Sequence, residues 1–316
     1  MWLNGTSDLI GVLKQRGAKR VALQFPEGLK RKAASCTRTL REAGFEVIIS
    51  GDPCYGACDL ALGALEYADV LVHFGHTPVD DRPQVIFEPY EIGFDCAVLE
   101  KALPFLSGKP TGLVTTVQHA HLIPAMEEFL HRKGIDVRVC GGGSGRTPCR
   151  GQVLGCSFTA ARIEGVDQVL FVGTGHFHPV GIAISTGARV IALDPLTGTA
   201  EEVNGDALLR RRFAVMEKAK GATGVGIIVS SKSGQQRMDL ARRLVPLHPG
   251  AVIVLMQEVS PAELLNLGFA CYVNTACPRL AYDDQVRFPV PVLSPQEFEI
   301  LCGKRSWEEY AIDEIL

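Results

Sequence analysis

A series of four apolar, strand-like segments separated by helix-like sequence occurs three times along the chain of 316 residues. The segments of the first series lie at 20–25, 46–51, 69–74 and 84–88. Those of the second lie at 111–116, 135–140, 168–173 and 189–194, and those of the third at 224–231, 251–256, 270–274 and 290–293. Strands that alternate with helices indicate βαβ units and a parallel sheet, and the recurrence indicates structural repeats.

The repeat predicts an α/β fold made of three similar domains. Each domain is expected to hold a four-stranded parallel sheet, and the three are expected to pack around a pseudo-threefold centre. The predicted boundaries place the domains at 1–107, 108–203 and 204–316. Because 47% of the residues are hydrophobic, a chain of this length can form such cores.

Two cysteines occupy equivalent places in the first two copies. Cys58 and Cys156 each follow a loop that contains glycine, and each lies at the same distance before an aspartate that opens the next strand. Both are expected to begin a helix, in DLALGALEYA and SFTAARIEGV, and a helix N-terminus lowers the pKa of a thiol. In the third copy Glu258 holds this place, and Cys277 comes later, in NTACPRLAYDD.

These three cysteines are predicted to lie at the carboxyl ends of strands, where α/β sheets collect their ligands. Around a threefold centre they would meet, and three thiolates suit an iron-sulfur cluster that keeps one open iron. Incidental buried thiols are the plainer interpretation of the spacing. A zinc finger is disfavoured, because the chain has no C-x2-C pair.

The chain has ten cysteines, and in a reducing compartment they are not expected to form structural disulfides. Four of them lie on strand-like or helix-like stretches and are predicted to pack as small apolar side chains: Cys36, Cys96, Cys271 and Cys302.

Polar residues also follow the strands. Three loops could bring backbone N–H groups to a carboxylate or phosphate, namely 25–29, 172–181 and 230–236, whereas GGGSGR at 141–146 lacks a P-loop ending. Histidines in these regions suit either metal or proton chemistry, or a polar pocket lining: His73, His76, His119, His121, His176 and His178. Asp283 and Asp284 follow Cys277 and could orient an ammonium group or lie in a solvated turn.

Charge and hydropathy disfavour two classes of partner. The formal net charge of −3 supplies no global basic field for nucleic acid. No apolar run approaches the length of a membrane span, and the first residues do not resemble a secretory leader. We therefore expect a cytoplasmic protein without a direct nucleic-acid or membrane partner.

Five motifs in this order, GDPCYGACDLA, LGCSF, GTGHFHP, SSKSGQ and NTACPRLAYDD, resemble the archaeal diphthamide-synthesis enzymes over nearly the whole chain. The resemblance implies a homodimer in which Cys58, Cys156 and Cys277 hold a 4Fe-4S cluster. It implies cleavage of S-adenosylmethionine between sulfur and the γ-carbon of methionine. The resulting 3-amino-3-carboxypropyl radical would be transferred to C2 of a histidine imidazole on translation elongation factor 2, with an electron donor of unknown identity.

On this interpretation polar loops at the strand ends hold the carboxypropyl group of S-adenosylmethionine. The predicted contacts are Gly175, His176, Ser231, Lys232, Gly234, Gln235, Gln24 and Glu27. Cys54 and Cys149 are expected to lie near the cluster without binding it. The alternatives are a quinolinate-synthase-like 4Fe-4S dehydratase, a non-catalytic redox or accessory subunit, and a zinc-stabilised structural protein.

Overall fold

The computed structural model describes residues 9–142 and 145–315. In this part of the chain, α-helices, short 3-10 helices and strands alternate and form three separate sheets. The prediction of an α/β fold built from three repeated units is confirmed. The domain boundaries stay a prediction, although the sheets occupy residues 20–88, 111–203 and 225–293.

The first sheet contains four parallel strands in the order β2-β1-β3-β4. The strands are β1 (Arg20–Gln24), β2 (Glu46–Ile49), β3 (Val70–Phe74) and β4 (Val85–Glu88). The helices of this region are α1 (Leu9–Gln15) and α2 (Ala33–Glu42).

The second sheet has five strands in the order β6-β5-β7-β8-β9. The strands are β5 (Thr111–Thr115), β6 (Val137–Arg138), β7 (Gln168–Val172), β8 (Arg189–Asp194) and β9 (Thr199–Val203), and the helices are α3 (Ile123–Arg132) and α4 (Phe177–Thr186). The expectation of four parallel strands was wrong here, because β9 pairs with β8 in antiparallel fashion. Its sequence, TAEEV, gave no apolar signal because this edge strand is largely exposed.

The third sheet again has four parallel strands, in the order β11-β10-β12-β13. The strands are β10 (Val225–Ser230), β11 (Ala251–Met256), β12 (Cys271–Asn274) and β13 (Val292–Leu293). The helices are α5 (Asp206–Ala219), α6 (Met238–Leu244), α7 (Pro261–Leu267), α8 (Arg279–Tyr282) and α9 (Pro295–Leu301).

The three sheets share one strand order, in which the first and third strands of each unit lie in the middle. These central strands are buried on both faces, so their sequences are almost continuously apolar, as parallel sheets require. This explains why the threefold series is visible in the sequence. No helix of residues 9–142 or 145–315 is long and apolar enough to span a membrane.

The prediction that α-helices begin directly after Cys58 and Cys156 was wrong. Short 3-10 turns take their place, at Leu62–Glu66 and Thr159–Ala161. The physical reason after Cys58 is that the Asp59 carbonyl and the Ala61 N–H are hydrogen-bonded to the side chain of Gln24 and not to a following helical turn. After Cys156, Phe158 N–H donates to the carboxylate of Glu314.

Each unit contacts the other two. Thr77 of the first unit accepts a hydrogen bond from Gln152 of the second, and Lys232 of the third donates to Asp59 of the first. Arg279 of the third unit lies over the ring of Phe177 in the second, 4.9 Å from the centroid. The loops that carry the three cysteines lie at these junctions.

Candidate metal centre

The structure brings Cys58, Cys156 and Cys277 together although they lie on three different units. Charge on the Cys58 or Cys156 sulfur would raise the pKa of Cys277, and charge on Cys58 would raise that of Cys156. Such mutual effects require the thiols to be neighbours. All three are half-buried and free of disulfide bonds. The predicted convergence of these loops is therefore present in the structure, while the role of the thiols as ligands stays a prediction.

The spacing of the three thiols does not suit one bare ion. A tetrahedral zinc holds its sulfur ligands about 3.8 Å apart. Within residues 9–142 and 145–315, one Cys/His/Asp/Glu group has all its ligand atoms within 4.8 Å of one another, and it is a different one. A set of thiols that is close but more widely spaced fits a larger, multi-iron group.

The expectation that Cys58 and Cys156 have lowered pKa values was wrong. Burial raises the pKa of Cys58, raises that of Cys156 to about 11 and raises that of Cys277 to about 12. Burial removes hydration from the thiolate, and the charge of Arg146, which lowers the pKa of Cys58 and Cys156, does not compensate for that loss. Without a metal the thiols are therefore protonated at neutral pH, and metal binding must displace their protons.

Arg146 is a positive charge at this centre that the sequence did not reveal. Its Nη1 lies 3.9 Å from the sulfur of Cys58, and its Nη2 donates a hydrogen bond to the carbonyl of Gly234. Its charge lowers the pKa of both Cys58 and Cys156, against the larger effect of burial. Arg146 ends the 141–146 segment, of which residues 143–144 lie outside the described residues. Glycines are the conspicuous feature of this segment in the sequence, whereas its arginine is the residue that contacts the thiols.

Two of the predicted contact residues, Gly234 and Gln235, lie against Cys58. A Cβ atom on Gly234 would be 2.5 Å from the Cys58 sulfur, so this position has room only for glycine. The Gln235 side chain hydrogen-bonds to Cys58 and lowers its pKa. The 230–236 loop therefore forms one wall of the centre.

Lys232 joins the third unit to the first. Its Nζ lies 2.5 Å from Asp59 Oδ1 and 2.6 Å from Glu258 Oε1. Burial lowers the pKa of Lys232, but the two hydrogen-bonded carboxylates outweigh it and raise the pKa above its ordinary value. Ser231 is exposed, and its N–H donates to the carbonyl of Met256.

The 172–181 loop reaches the centre through Phe177. A Cβ atom on Gly155, the neighbour of Cys156, would be 2.6 Å from the Phe177 ring. By contrast, His176 is 73% exposed and faces Glu201, while Gly175 is exposed with a φ of 79°. His178 is half-buried, and its ring stacks on Phe171. In the sequence, the signal for this contact is the aromatic residue between two histidines.

Arg237 binds the backbone of the Cys277 loop, and the sequence did not reveal this residue either. It donates hydrogen bonds to the carbonyls of Thr275 and Ala276, and it pairs with the carboxylate of Asp313 at 2.5 Å. The same terminal segment reaches the other cysteine loop, where Ile315 N–H donates to the carbonyl of Cys156. Long-range contacts of this kind leave no local pattern in a sequence.

The remaining predicted residues lie around the first sheet or away from the thiols. Gln24 is buried and bonded within the protein, and Glu27 is half-exposed beside Lys30. Cys149 N–H donates to the side-chain oxygen of Gln152, and Nδ1–H of His119 donates to the carbonyl of Ile92. Asp283 and Asp284 face neighbouring arginines: Arg279 and Arg287. No structural role at the thiols was found for His121.

The fold and this centre define a class, namely three-unit α/β proteins whose strand-end loops bring one cysteine from each unit together. The family model of the diphthamide synthesis proteins matches residues 25–312. The chain therefore belongs to the diphthamide synthesis family.

Relatives in this family are enzymes. The chain is 37% identical to the 2-(3-amino-3-carboxypropyl)histidine synthase of Pyrococcus horikoshii, over 98% of the chain and 93% of the relative. It is 27% identical to the synthase of Methanocaldococcus jannaschii, over 94% and 87% of the two chains. The crystal structure of Dph2 from Pyrococcus horikoshii with a 4Fe-4S cluster superposes with a TM-score of 0.91 at 38% identity, and covers 98% of this chain and 93% of that one. The membership predicted from the motifs is confirmed.

Proposed function

We propose that this chain is a 2-(3-amino-3-carboxypropyl)histidine synthase whose 4Fe-4S cluster is bound by Cys58, Cys156 and Cys277. The observation that carries the proposal is the meeting of these three thiols, one from each unit, at one centre. The cluster in the related Dph2 structure supports it. Three protein thiolates leave one iron with a position for a substrate.

The reaction begins with S-adenosylmethionine. When bound, the cluster supplies one electron, which cleaves the bond between sulfur and the γ-carbon of methionine and yields methylthioadenosine and a 3-amino-3-carboxypropyl radical. The radical adds to C2 of a histidine imidazole on translation elongation factor 2. Loss of the C2 proton and of one electron, which the oxidised cluster would accept, then restores the aromatic ring.

The residues of this chain fix which bond faces the iron. Gln235 and Gly234 lie against Cys58, so the 230–236 loop is suited to hold the carboxypropyl end beside the cluster. The same proposal covers Ser231 and Lys232 in that loop, and Gly175, His176, Gln24 and Glu27 at other strand ends. Arg146 adds a positive charge that favours thiolates and a reduced, negatively charged cluster.

The proposal includes partners as well as chemistry. The chain is proposed to act in the cytoplasm as a homodimer, to dock elongation factor 2 and to receive electrons from a donor protein or small reductant. S-adenosylmethionine is a co-substrate that is consumed in each turnover.

The test is anaerobic incubation of dithionite-reduced protein with S-adenosylmethionine and archaeal elongation factor 2, followed by mass spectrometry. We expect methylthioadenosine together with a 3-amino-3-carboxypropyl adduct on one histidine. Deoxyadenosine would instead indicate conventional cleavage. An intact cluster without turnover would contradict the proposal and favour a dehydratase or an accessory subunit.

A further inference from the structure

A second group of metal-ligating side chains lies in the first unit, outside the three-thiol centre. The ligand atoms of Cys54, His73 and His76 all lie within 4.8 Å of one another. Cys54 and His73 are fully buried, and His76 is half-buried. Nothing in the proposed reaction uses these three side chains.

The two imidazoles present their nitrogen atoms to each other. His73 Nε2 lies 2.9 Å from His76 Nδ1. On the far side of the first ring, His73 Nδ1 lies 2.9 Å from Oε1 of Gln24. This amide oxygen can only accept, so Nδ1 carries the proton, and the lone pair of Nε2 accepts a hydrogen bond from Nδ1–H of His76, which a metal ion would displace.

Gln24 has the role that an orienting partner has in metal sites. A metal-bound histidine usually donates its other ring N–H to a carboxylate or carbonyl oxygen, which fixes the tautomer and the ring. The Gln24 amide is itself fixed, because it donates to the carbonyl of Asp59 and accepts from the N–H of Ala61. The lone pair of His73 is therefore held in place by three hydrogen bonds.

The backbone holds the two histidines beside each other. His73 lies in the central strand β3, and Gly75 follows with a φ of 87°, which turns the chain so that His76 faces back. A Cβ atom on Gly75 would be 2.9 Å from Pro26, so other residues do not fit this turn. A preformed arrangement of this kind lowers the ordering cost of binding.

We propose that Cys54, His73 and His76 form a second metal site for a zinc-class divalent cation, separate from the three-thiol centre. One thiolate and two imidazoles are ligands that zinc prefers, whereas magnesium and calcium take oxygen. In a tetrahedral zinc site, two imidazole nitrogens lie about 3.3 Å apart. The His73 and His76 rings need to separate by only a few tenths of an ångström from their 2.9 Å contact.

The fourth position belongs to solvent or to an added ligand. The nearby carboxylate of Asp59 is already occupied, since it accepts from the N–H groups of Tyr55 and Gly56 and from Lys232. His76 is the half-exposed member of the group, so the open position lies on its side. Three protein ligands with one open position are typical of reactive zinc sites, not of closed structural ones.

The first test uses the holoprotein with its cluster reconstituted under anaerobic conditions. The protein is equilibrated with zinc sulfate against a competing chelator, and zinc and iron are counted by elemental mass spectrometry. We expect one zinc per chain with the iron content unchanged. Zinc K-edge X-ray absorption, which does not detect the iron, should show one sulfur neighbour and three nitrogen or oxygen neighbours.

Matched variants then assign the ligands. Cys54→Ser and His76→Gln should each weaken zinc binding more than about 100-fold, and Gln24→Leu should weaken it about 10-fold to 100-fold. Cys36→Ser and His119→Gln remove a buried cysteine and a buried histidine from elsewhere and should leave binding unchanged. Circular dichroism and iron content show that each variant is folded.

Three results would overturn the second site: no zinc in the wild-type holoprotein, zinc with three sulfur neighbours, or undiminished binding in both ligand variants. The proposed function is judged separately. If S-adenosylmethionine is not cleaved while zinc binds as described, the synthase proposal fails and the second site stands.

Discussion

The guanidinium of Arg146 lies 3.9 Å from the sulfur of Cys58, measured from Nη1 to Sγ, although 88 residues separate them. The same side chain donates to the carbonyl of Gly234 in the third unit. One arginine from the second unit thus contacts the loops of the other two at the centre where the thiols meet. Charge and packing at this point therefore act directly on the proposed cluster site.

Removing the charge of Arg146 should make the thiols harder to ionise. Because the arginine lowers the pKa of Cys58 and Cys156, Arg146→Gln should raise both pKa values further. Thiol alkylation in the apoprotein, measured by peptide mass spectrometry, should therefore accelerate only at a higher pH than in the wild type. Arg146→Lys should retain part of the effect, and identical pH profiles would refute this role.

Each of Cys58, Cys156 and Cys277 should be needed for the cluster. Single changes to alanine are expected to remove most of the iron and sulfide and most of the cleavage of S-adenosylmethionine. Cys36→Ala is the control, since Cys36 packs within α2 in the first core. A variant of the three that keeps wild-type iron content and activity would be struck from the ligand set.

Gly234→Ala should disturb the centre through packing alone. The added methyl would lie 2.5 Å from the Cys58 sulfur and must displace it. We expect lower cluster occupancy after reconstitution, measured as iron per chain, with little loss of secondary structure. Gly63→Ala is the control because a Cβ atom there meets nothing within 4 Å. Equal occupancy in the two variants would argue against the close contact.

Lys232→Met should destabilise the protein because it leaves the carboxylate of Asp59 buried without its partner. Breaking a buried pair costs about 3–5 kcal/mol, and the side chains of Lys232 and Asp59 are only 12% and 6% exposed. Lys109→Met, in an exposed pair with Asp167, should cost about 0–1 kcal/mol. Calorimetric melting temperatures of the two variants at pH 7 provide the comparison.

The sign of the pH effect follows from the raised pKa of Lys232. Its pairing contributes fully below the unfolded pKa, near the ordinary value of 10.5, and is lost as the pH rises through the higher folded value. The difference in melting temperature between wild type and Lys232→Met should therefore shrink above this pH. A constant difference would contradict the pairing.

Acid should destabilise the protein through His178. Burial, helped by the charge of Arg279, lowers the pKa of His178 to about 4, below its ordinary value of 6.5. The unfolded chain therefore takes up a proton that the folded chain does not, and stability is lost as the pH falls from 6.5 toward 4. His178→Gln should have a shallower decline of melting temperature over this range, whereas His121→Gln should decline like the wild type.

The sequence by itself determined the repeated α/β architecture, because central parallel strands are buried on both faces and must be apolar throughout. It also supplied the motifs that predicted the family, and with them Cys58, Cys156, Cys277 and the 230–236 loop. The sequence did not predict β9, because this exposed edge strand, TAEEV, needs no apolar residues. The helices missing after Cys58 and Cys156 depended on distant side chains, Gln24 and Glu314, that take up backbone hydrogen bonds.

Only the tertiary structure decided which residues act together. Arg146, Arg237 and Phe177 reach the thiol loops through contacts between residues distant in the sequence, and such contacts carry no periodicity or spacing that a sequence displays. The same holds for Cys54, His73 and His76, which meet only after a turn at Gly75 and the pairing of β1 with β3. The direction of the thiol pKa shifts also depended on burial, because desolvation is a property of the packed loops and not of the residue type.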